Sequence, residues 1–444
     1  MSNFKVYLVG GAVRDRVLGR ACRDRDYVVV GATPKEMLEL GYKQVGKDFP
    51  VFLHPETGEE YALARKEVKT GDKHTDFEFV FTPDVTLRED LERRDLTCNA
   101  LAQDMGTYEI IDYFGGLRDT NAGILRHTSE HFIEDPLRIL RCLRLACQLE
   151  FSIHESTKTL LKSMIAEGVL KHLTKERVWK EIEKVLFTPN MHTFIELLDE
   201  MGALGDVFPE VEALKSIPEN VKYHPEGTAY KHTLIALSRV KSAVWLKAPG
   251  VHPFRRPARI LSATHQAFGS QPSIDLVNFG VLCHDLGKAL TPEEEWPAHH
   301  GHDENGIEIV KRMCARLKVP NKYLGVGLLA CKYHMKLYEF LKTKIKTQYD
   351  FVKEVSNFKS AEDLAILFDV HYCDLFGRAE EPDTERQVTF QEVRNQVKRI
   401  YYIMENVTLD RLPVETQEKL KKFKGEQFGK LYRDAMISYL KGVL

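Results

Sequence analysis

The chain is short of several things. Its eight cysteines, among 444 residues, include no CxxC pair and no regular spacing, so no disulfide framework is expected. Several of them sit inside apolar stretches, as reduced core cysteines do. No apolar run approaches the ~20 residues that a membrane span requires, and the first residues lack the charged-then-apolar pattern of a secretory signal. There is no internal repeat and no low-complexity tract. An excess of one charge is missing too: Lys+Arg 63 against Asp+Glu 65 leaves a net charge of -2. Any polyanionic partner must therefore be held by local basic patches. These absences point to a soluble protein with a reducing cytoplasm as its expected home. With 43% hydrophobic and 29% charged residues it can bury a proper core, and its length suits about three domains.

What is there begins with LVGGAVRDRVLGRACRDRDYVVV, residues 8–30. An apolar run from Val6 to Val9 breaks on Gly10-Gly11. A short helical segment follows from Ala12 to about Leu18, and a second strand carries Asp24-Arg25-Asp26. Strand side chains two apart share a face, so Asp24 and Asp26 are expected to project as a pair. Two close carboxylates repel unless a cation sits between them. Upstream, the glycines let backbone N–H groups approach an anion at a helix N-terminus, and Arg14 in the first turn can reach the same anion. A phosphate cradle with metal-holding carboxylates is the equipment of phosphoryl or nucleotidyl transfer. A lone GG or DxD would read as a hairpin and a solvated strand; the joint spacing carries the chemical reading.

Strands are expected at Lys5–Val9, Asp26–Val30, Val51–Leu53, Glu60–Arg65, Phe77–Val80 and Glu109–Ile111, with helices interleaved to about Asp119. DLERRDLTCNALAQ, between the last two strands, begins as a helix. Arg65 to Asp76 is polar, charged and punctuated by Gly71, and reads as a mobile loop. From His131 the period turns helical. Glu134-Asp135-Pro136 opens EDPLRILRCLRLACQLEF; Asp is a favoured N-cap and Pro a favoured first helical residue. Arg138, Arg141 and Arg144 recur every third residue, near one face, while Ile139, Leu140 and Leu143 take another. Periodicity alone leaves two readings open, a plain cap with solvated arginines or a functional basic face.

Further on, Lys215–Lys222 reads as a linker. An apolar helix, Leu276–Cys283, runs into His284-Asp285-Leu286-Gly287-Lys288, with His232 upstream and His299-His300-Gly301-His302, His334 and Asp374 downstream. Imidazole nitrogen and carboxylate oxygen suit divalent transition metals. His232, His284, Asp285 and Asp374 would form a shell with positions left for water and phosphate. Lys288, one turn past the dyad, can meet a phosphate oxygen as a point charge. The tail from about Val388 is helical and charged, with a basic knot at Lys419, Lys421, Lys422 and Lys424.

Taken together, LVGGAVRDRVLG…RDRDYVVVG, RRDLTCNALA, EDPLRILR, ERVWKEIEKVL and HT…CHDLGK…HHGH resemble the bacterial CCA-adding enzymes, the ATP/CTP:tRNA nucleotidyltransferases. The resemblance is to the multifunctional type with a C-terminal HD phosphohydrolase domain, and it runs from about Phe4 to Arg378, more weakly to the end. It implies an α+β chain: a polymerase-β-like nucleotidyltransferase head (1–140), an all-helical neck and body (141–214), an all-α HD domain (220–380) and a helical tail (381–444). On this likeness Asp24 and Asp26 are the catalytic carboxylates and hold two Mg²⁺ ions, while Gly11, Arg14, Arg94, Asp135, Arg138, Arg141 and Arg144 contact the incoming nucleotide. Asp135 and Arg138 would be an amino-acid template, because a carboxylate accepts from an exocyclic amino group while a guanidinium donates to a ring acceptor. Both C and A offer that pair. The loop from Arg65 matches the element tied to the switch from C to A.

The same resemblance implies tRNA, CTP and ATP as partners, no membrane, and a monomer or homodimer. In the HD domain it implies 2′,3′-cyclic phosphodiesterase, 2′-nucleotidase and phosphatase activities with a divalent metal such as Ni²⁺, Mn²⁺ or Mg²⁺. His232, His284, Asp285 and Asp374 would be the ligands, and Lys288 and His334 would face substrate. There are departures. Lys241–Ser273 is long and basic, with Lys247, Arg255, Arg256 and Arg259, and reads as an RNA-contacting insertion or a decorated loop. Cys98 and Tyr113 stand where an aliphatic residue and a proline are usual. The nearest rival is a bacterial poly(A) polymerase, expected to carry a strongly basic C-terminal extension and no HD domain. A second is an HD phosphohydrolase whose head only binds tRNA.

Overall fold

The computed structural model describes residues 4–22, 24–45, 51–69, 77–80, 82–245, 272–356, 361–378 and 384–444. They fall into two compact units, Met1–Glu181 with Leu197–Ala203, and Ile182–Glu196 with Leu204–Leu444.

The first unit is built on a mixed sheet. Its strands are β1 (Lys5–Val9), β2 (Asp26–Val30), β3 (Lys43–Val45), β4 (Val51–Leu53) and β5 (Glu60–Leu63). After a separate two-stranded ribbon, β6 (Lys66–Lys69) with β7 (Phe77–Val80), come β8 (Leu101–Asp104) and β9 (Ile110–Asp112). The order is β3-β4-β5-β2-β1-β8-β9. Only β2 and β5 run parallel; the other neighbours are antiparallel. Alternation along β1 and β2 explains the two cores. Tyr7, Val9 and Val28 pack with Val85, Leu91 and Ala102 on one face, and Leu8 and Tyr27 pack with Val13 and Leu101 on the other. The register sets Asp26 opposite Val9. The first residue of β2 therefore lies where β1 gives way to Gly10 and the helix α1 (Gly11–Val17).

Four expected strands have the observed bounds, Glu60–Leu63 is two residues shorter than expected, and Ile110–Asp112 is shifted by one. The expected mobile loop needs correction at its start, because Lys66–Lys69 is a strand paired with Phe77–Val80; residues 70–76 lie outside the described residues. β8 was hidden inside the helical-looking DLERRDLTCNALAQ. Only its first three residues are α-helical, as the end of the helix Leu87–Glu92, and Leu101–Asp104 is drawn into the sheet by pairing with β1 and β9.

The second unit is helical. Helices Ala229–Trp245, Ile274–Cys283, His302–Leu317, Asn321–Tyr338 and Ala361–Leu375 surround the His-Asp segment. Ile274–Cys283 is mostly apolar and lies within the core, where its two polar residues are paired: Asp275 accepts from Tyr323 Oη, and Asn278 Nδ2 donates to the Leu186 and Thr188 carbonyls. The tail helices Thr384–Asn406 and Gly425–Val443 share one core with the elements before them, through Phe340, Val352, Phe368, Phe390, Val397 and Leu440. Of the long basic segment Lys241–Ser273, residues 246–271 lie outside the described residues. Among the described residues, no helix is long and apolar enough to cross a membrane.

Two candidate active sites

In the first unit, α1 starts on Gly10 with φ 72. That conformation favours glycine, and an added Cβ would also lie 3.0 Å from Arg94 Nη1. Gly11, Arg14, Asp24, Asp26, Arg94, Asp135, Arg138, Arg141 and Arg144 all line one cavity of about 670 Å³. Asp24 and Asp26 are both exposed there. One expectation is corrected: β2 begins at Asp26, so Asp24 stands in the preceding loop and strand alternation is not what pairs the two. The loop brings it to the same cavity.

Across the cavity the wall is basic and tied down. Arg14 Nη1 donates to Asn99 Oδ1 at 2.7 Å, Asn99 Nδ2 donates to Asp95 Oδ1 at 3.0 Å, and Arg141 Nε donates to Asp95 Oδ2 at 2.8 Å. Arg138 donates to the Arg93 carbonyl at 2.8 Å and to that of His131. Arg144 bonds Glu181 at 2.5 Å and also Gln148, and Arg94 reaches Asp90 at 3.3 Å. The reading of this arginine row as merely solvated is thereby corrected, since Arg144 is buried and each member has a fixed partner. Burial pushes the Asp95 carboxyl up, but Arg141, Asn99 and the Leu96 N–H outweigh it and hold the value at about 2. Burial and neighbouring cations push Arg93 down to about 9, and burial pushes Arg65 down to about 10. Such crowding of cations would be relieved by a polyanion in the cavity.

Asp135 has two partners. The Leu137 N–H donates to Oδ1 at 3.0 Å, which caps the helix Leu137–Leu149, and Arg177 Nη2 donates to Oδ2 at 2.8 Å. Arg65, Arg93, Asp95, Asn99 and Arg177 also line the cavity. Sequence reasoning missed Asp95 and Asn99, although RRDLTCNA contains both, and missed Arg177 in ERVWKEIEKVL.

In the second unit His232, His284, Asp285 and Asp374 converge. His232 Nε2 is 3.1 Å from Asp374 Oδ1 and 3.8 Å from Asp285 Oδ2. His284 Nε2 is 3.2 Å from Asp285 Oδ2 and 3.9 Å from Asp374 Oδ1. All four are buried. His284 Nδ1 donates to the Val281 carbonyl at 2.6 Å, and His232 Nδ1 lies 3.0 Å from Glu226 Oε1. These bonds fix each ring and aim Nε2 inward, as the outer partners of metal-bound histidines do. The His284 Nε2 and Asp374 Oδ2 atoms are buried and make no hydrogen bond. The set fits a divalent cation. Clustered imidazoles hold the Asp374 and Asp285 carboxyls well below the usual range in spite of burial.

Lys288 Nζ lies between Glu219 Oε1 at 2.6 Å and Asp285 Oδ2 at 2.8 Å. Both carboxylates keep it charged although burial opposes this. Asp285, Lys288, His334 and Asp374 open onto a cavity of about 1020 Å³, walled also by Phe340, Met335, Tyr223 and Arg378. Sequence reasoning gave no role to three parts here. Glu219 lies in the stretch read as a linker, Glu226 orients His232, and His302 stands 3.4 Å from Asp285 Oδ1.

Residues 6–126 match the family described as the Poly A polymerase head domain, 150–215 match a probable RNA and SrmB-binding site of polymerase A, and 254–360 match the HD domain. The fold is that of solved CCA-adding enzymes. One in complex with ATP has a TM-score of 0.64 at 21% identity, covering 99% of this chain and 86% of that one. One in complex with CTP has 0.62 at 22%, with the same coverages. The Thermotoga maritima CCA-adding enzyme complexed with tRNA has 0.60 at 20%, covering 99% and 88%. Head domains of this kind and HD domains generally use divalent metals; the buried histidine and carboxylate groups of the second unit suit one, and in the head cavity Asp24 and Asp26 supply the carboxylates. Along its length the chain thus matches the poly A polymerase head domain, the probable RNA and SrmB-binding site of polymerase A and the HD domain, and it has the fold of the CCA-adding enzymes.

Proposed function

We propose that this protein builds and repairs the 3′-terminal CCA of tRNA from CTP and ATP without a nucleic-acid template, and that its HD domain hydrolyses 2′,3′-cyclic phosphates, 2′-phosphates and other phosphomonoesters. The observation that carries the first part is the single cavity in which Asp24 and Asp26 meet the anchored arginines. Mg²⁺ held by the two carboxylates would lower the pKa of the tRNA 3′-hydroxyl and clamp the triphosphate. Gly11, Arg14 and Arg94 sit where α1 begins and receive the phosphates. Asp135 and Arg138 present one acceptor and one donor to the base, which admits C and A and leaves U and G, with a carbonyl in place of the amino group, unmatched. Arg141 and Arg144 hold the nucleotide from the same helix.

In the HD domain a divalent cation such as Ni²⁺, Mn²⁺ or Mg²⁺ would polarise the phosphoryl group. Lys288 can give its third N–H to a phosphate oxygen while Glu219 and Asp285 hold the other two. Removal of a cyclic phosphate would leave the free hydroxyl that the head extends. A cytoplasmic enzyme working as a monomer or homodimer fits this reading. The test is a tRNA lacking its 3′ CCA, supplied with CTP, ATP and magnesium. Three nucleotides added and then arrest is the expected result. A long A tail would mean a poly(A) polymerase, and no extension a head that only binds tRNA.

A further inference from the structure

We propose that a second cavity, under the tail helix Thr384–Asn406, is a nucleobase subsite of the HD hydrolase, so that a nucleotide is held there by its base while its phosphate lies at the His-Asp turn. The inference rests on the hydrolase reading given above and adds to it a wall that determines specificity. The second cavity has a volume of about 510 Å³. It shares Tyr223, Tyr338, Lys342 and Arg378 with the larger cavity, so the two adjoin across these side chains.

One helix serves both cavities. Ala361–Leu375 carries Asp374 to the larger one and His371, a turn earlier, to the smaller. His371 is only 2% exposed, yet its Nδ1 makes no hydrogen bond. Burial keeps the ring neutral, so it carries one N–H and one lone pair. A buried polar atom without a partner is destabilising, and a base edge in the cavity would supply the missing partner. Arg378 Nε, on the shared wall, is likewise buried and makes no hydrogen bond.

The walls suit a flat aromatic group. His371 stacks on Phe390, with ring centroids 5.9 Å apart and planes at 27°, and Tyr338 stands edge-on to it at 4.8 Å and 87°. Leu337, Leu375 and Val393 complete an apolar slot. Polar groups at its wall are few and of both kinds: Glu385 accepts, Arg386 donates and Thr389 can do either. Such a slot offers a base what it needs, a face to stack on and an edge to read. A lipid chain would leave the polar groups unused, and an inorganic anion the rings. Two cations, Lys342 and Arg378, stand where the cavities meet, and the Tyr338 hydroxyl faces both Asp374 and Arg378. In a ribose 2′-phosphate one sugar carries the phosphate and the base, and this junction is the place for that sugar.

The experiment uses the full chain with Mn²⁺ and two phosphomonoesters, 2′-AMP and glycerol 2-phosphate, the second of which has no base. Thr389→Trp puts an indole into the cavity from an exposed position on the tail helix. The ratio of kcat/KM for 2′-AMP to that for glycerol 2-phosphate should fall about tenfold, as for one lost base stack. A loss of folded protein lowers both values alike, and a ratio equal to the parent's overturns the proposal. The unsubstituted chain gives a second readout with 8-azidoadenosine 2′-phosphate. Illumination should label a peptide from Thr384–Asn406 or Ala361–Leu375, and excess 2′-AMP, but not glycerol 2-phosphate, should prevent it. Label confined to head peptides overturns the proposal, and this decides even if the Thr389 variant does not fold. Label on the tail helix without hydrolysis of either ester would instead sink the hydrolase reading and leave the base subsite standing.

Discussion

Asp135 is shared between a helix cap and an ion pair: one carboxylate oxygen takes the Leu137 N–H at 3.0 Å and the other takes Arg177 at 2.8 Å. The Arg177 pair is a surface one, with side chains 47% and 35% exposed, so it is worth at most about 1 kcal/mol. A base amino group can displace it at small cost. The cap and the base reader are therefore compatible roles for one residue, on different oxygens.

This gives a first prediction. Asp135→Ala should cost about 1 kcal/mol of stability through the lost cap, and should relax the preference for CTP and ATP over UTP and GTP by more than it slows addition. The ratio of kcat/KM values among the four nucleotides measures the second effect. An unchanged ratio would leave Asp135 as a cap alone.

Asp95 carries the second. Its carboxylate joins Arg141 to Asn99, which in turn holds Arg14. The folded value, at about 2, lies below the ordinary one near 3.9. A depressed carboxyl contributes stability that is present above the unfolded pKa and is lost as pH falls through the folded one. At about 1.4 kcal/mol per unit this is roughly 2.6 kcal/mol. Asp95→Asn should therefore be destabilised by about that amount at pH 7, and the gap to the parent protein should close between about pH 4 and pH 2. A gap that stays constant over that window in chemical denaturation would show that the Arg141 pair is not its source.

How far the sequence reaches can be judged from particular residues. β1 and β2 were legible because each face of the sheet is buried against its own set of side chains, so an unbroken apolar run had to be a central strand. β8 was not, because Leu101-Ala102-Gln103 has no period of its own and takes extended form only through its neighbours. Nine head residues and the His232, His284, Asp285 and Asp374 set were found by motif, and the structure gathers each set in one place. Glu219 and Asn99 were passed over for a common reason: each acts by touching a residue distant in the chain. Lys288 and Glu219 are 69 positions apart, and Arg14 and Asn99 are 85 apart.

Gly10 supports a third prediction. Alanine there must adopt φ 72 and place its Cβ 3.0 Å from Arg94 Nη1. With ψ -137 this backbone lies in a region essentially open to glycine alone, at about 1–3 kcal/mol, and the contact pushes Arg94 out of its position. Gly10→Ala should lower the melting temperature and raise KM for both CTP and ATP. Gly19 has a similar φ of +65 but nothing within 4 Å, so Gly19→Ala should show the stability loss without the change in KM. Equal effects on KM would show that strain, not the Arg94 contact, is what matters.

Lys288 provides the last, together with the head carboxylates. Lys288 is buried between Glu219 and Asp285, and removing one member of a buried ionic set leaves the others uncompensated, at about 3–5 kcal/mol. Lys288→Met should accordingly lose both stability and phosphoester hydrolysis. Glu219→Gln keeps a hydrogen-bond acceptor on Lys288 and should lose much less stability than Lys288→Met. Neither change touches Asp24, Asp26 or the anchored arginines, so CCA addition should persist in both wherever the chain is folded. The converse variant, Asp24→Ala with Asp26→Ala, should abolish addition while hydrolysis of a 2′,3′-cyclic phosphate continues. Loss of both activities in that double variant would show that the two sites do not work independently, because its substitutions leave every group in the HD cavity in place.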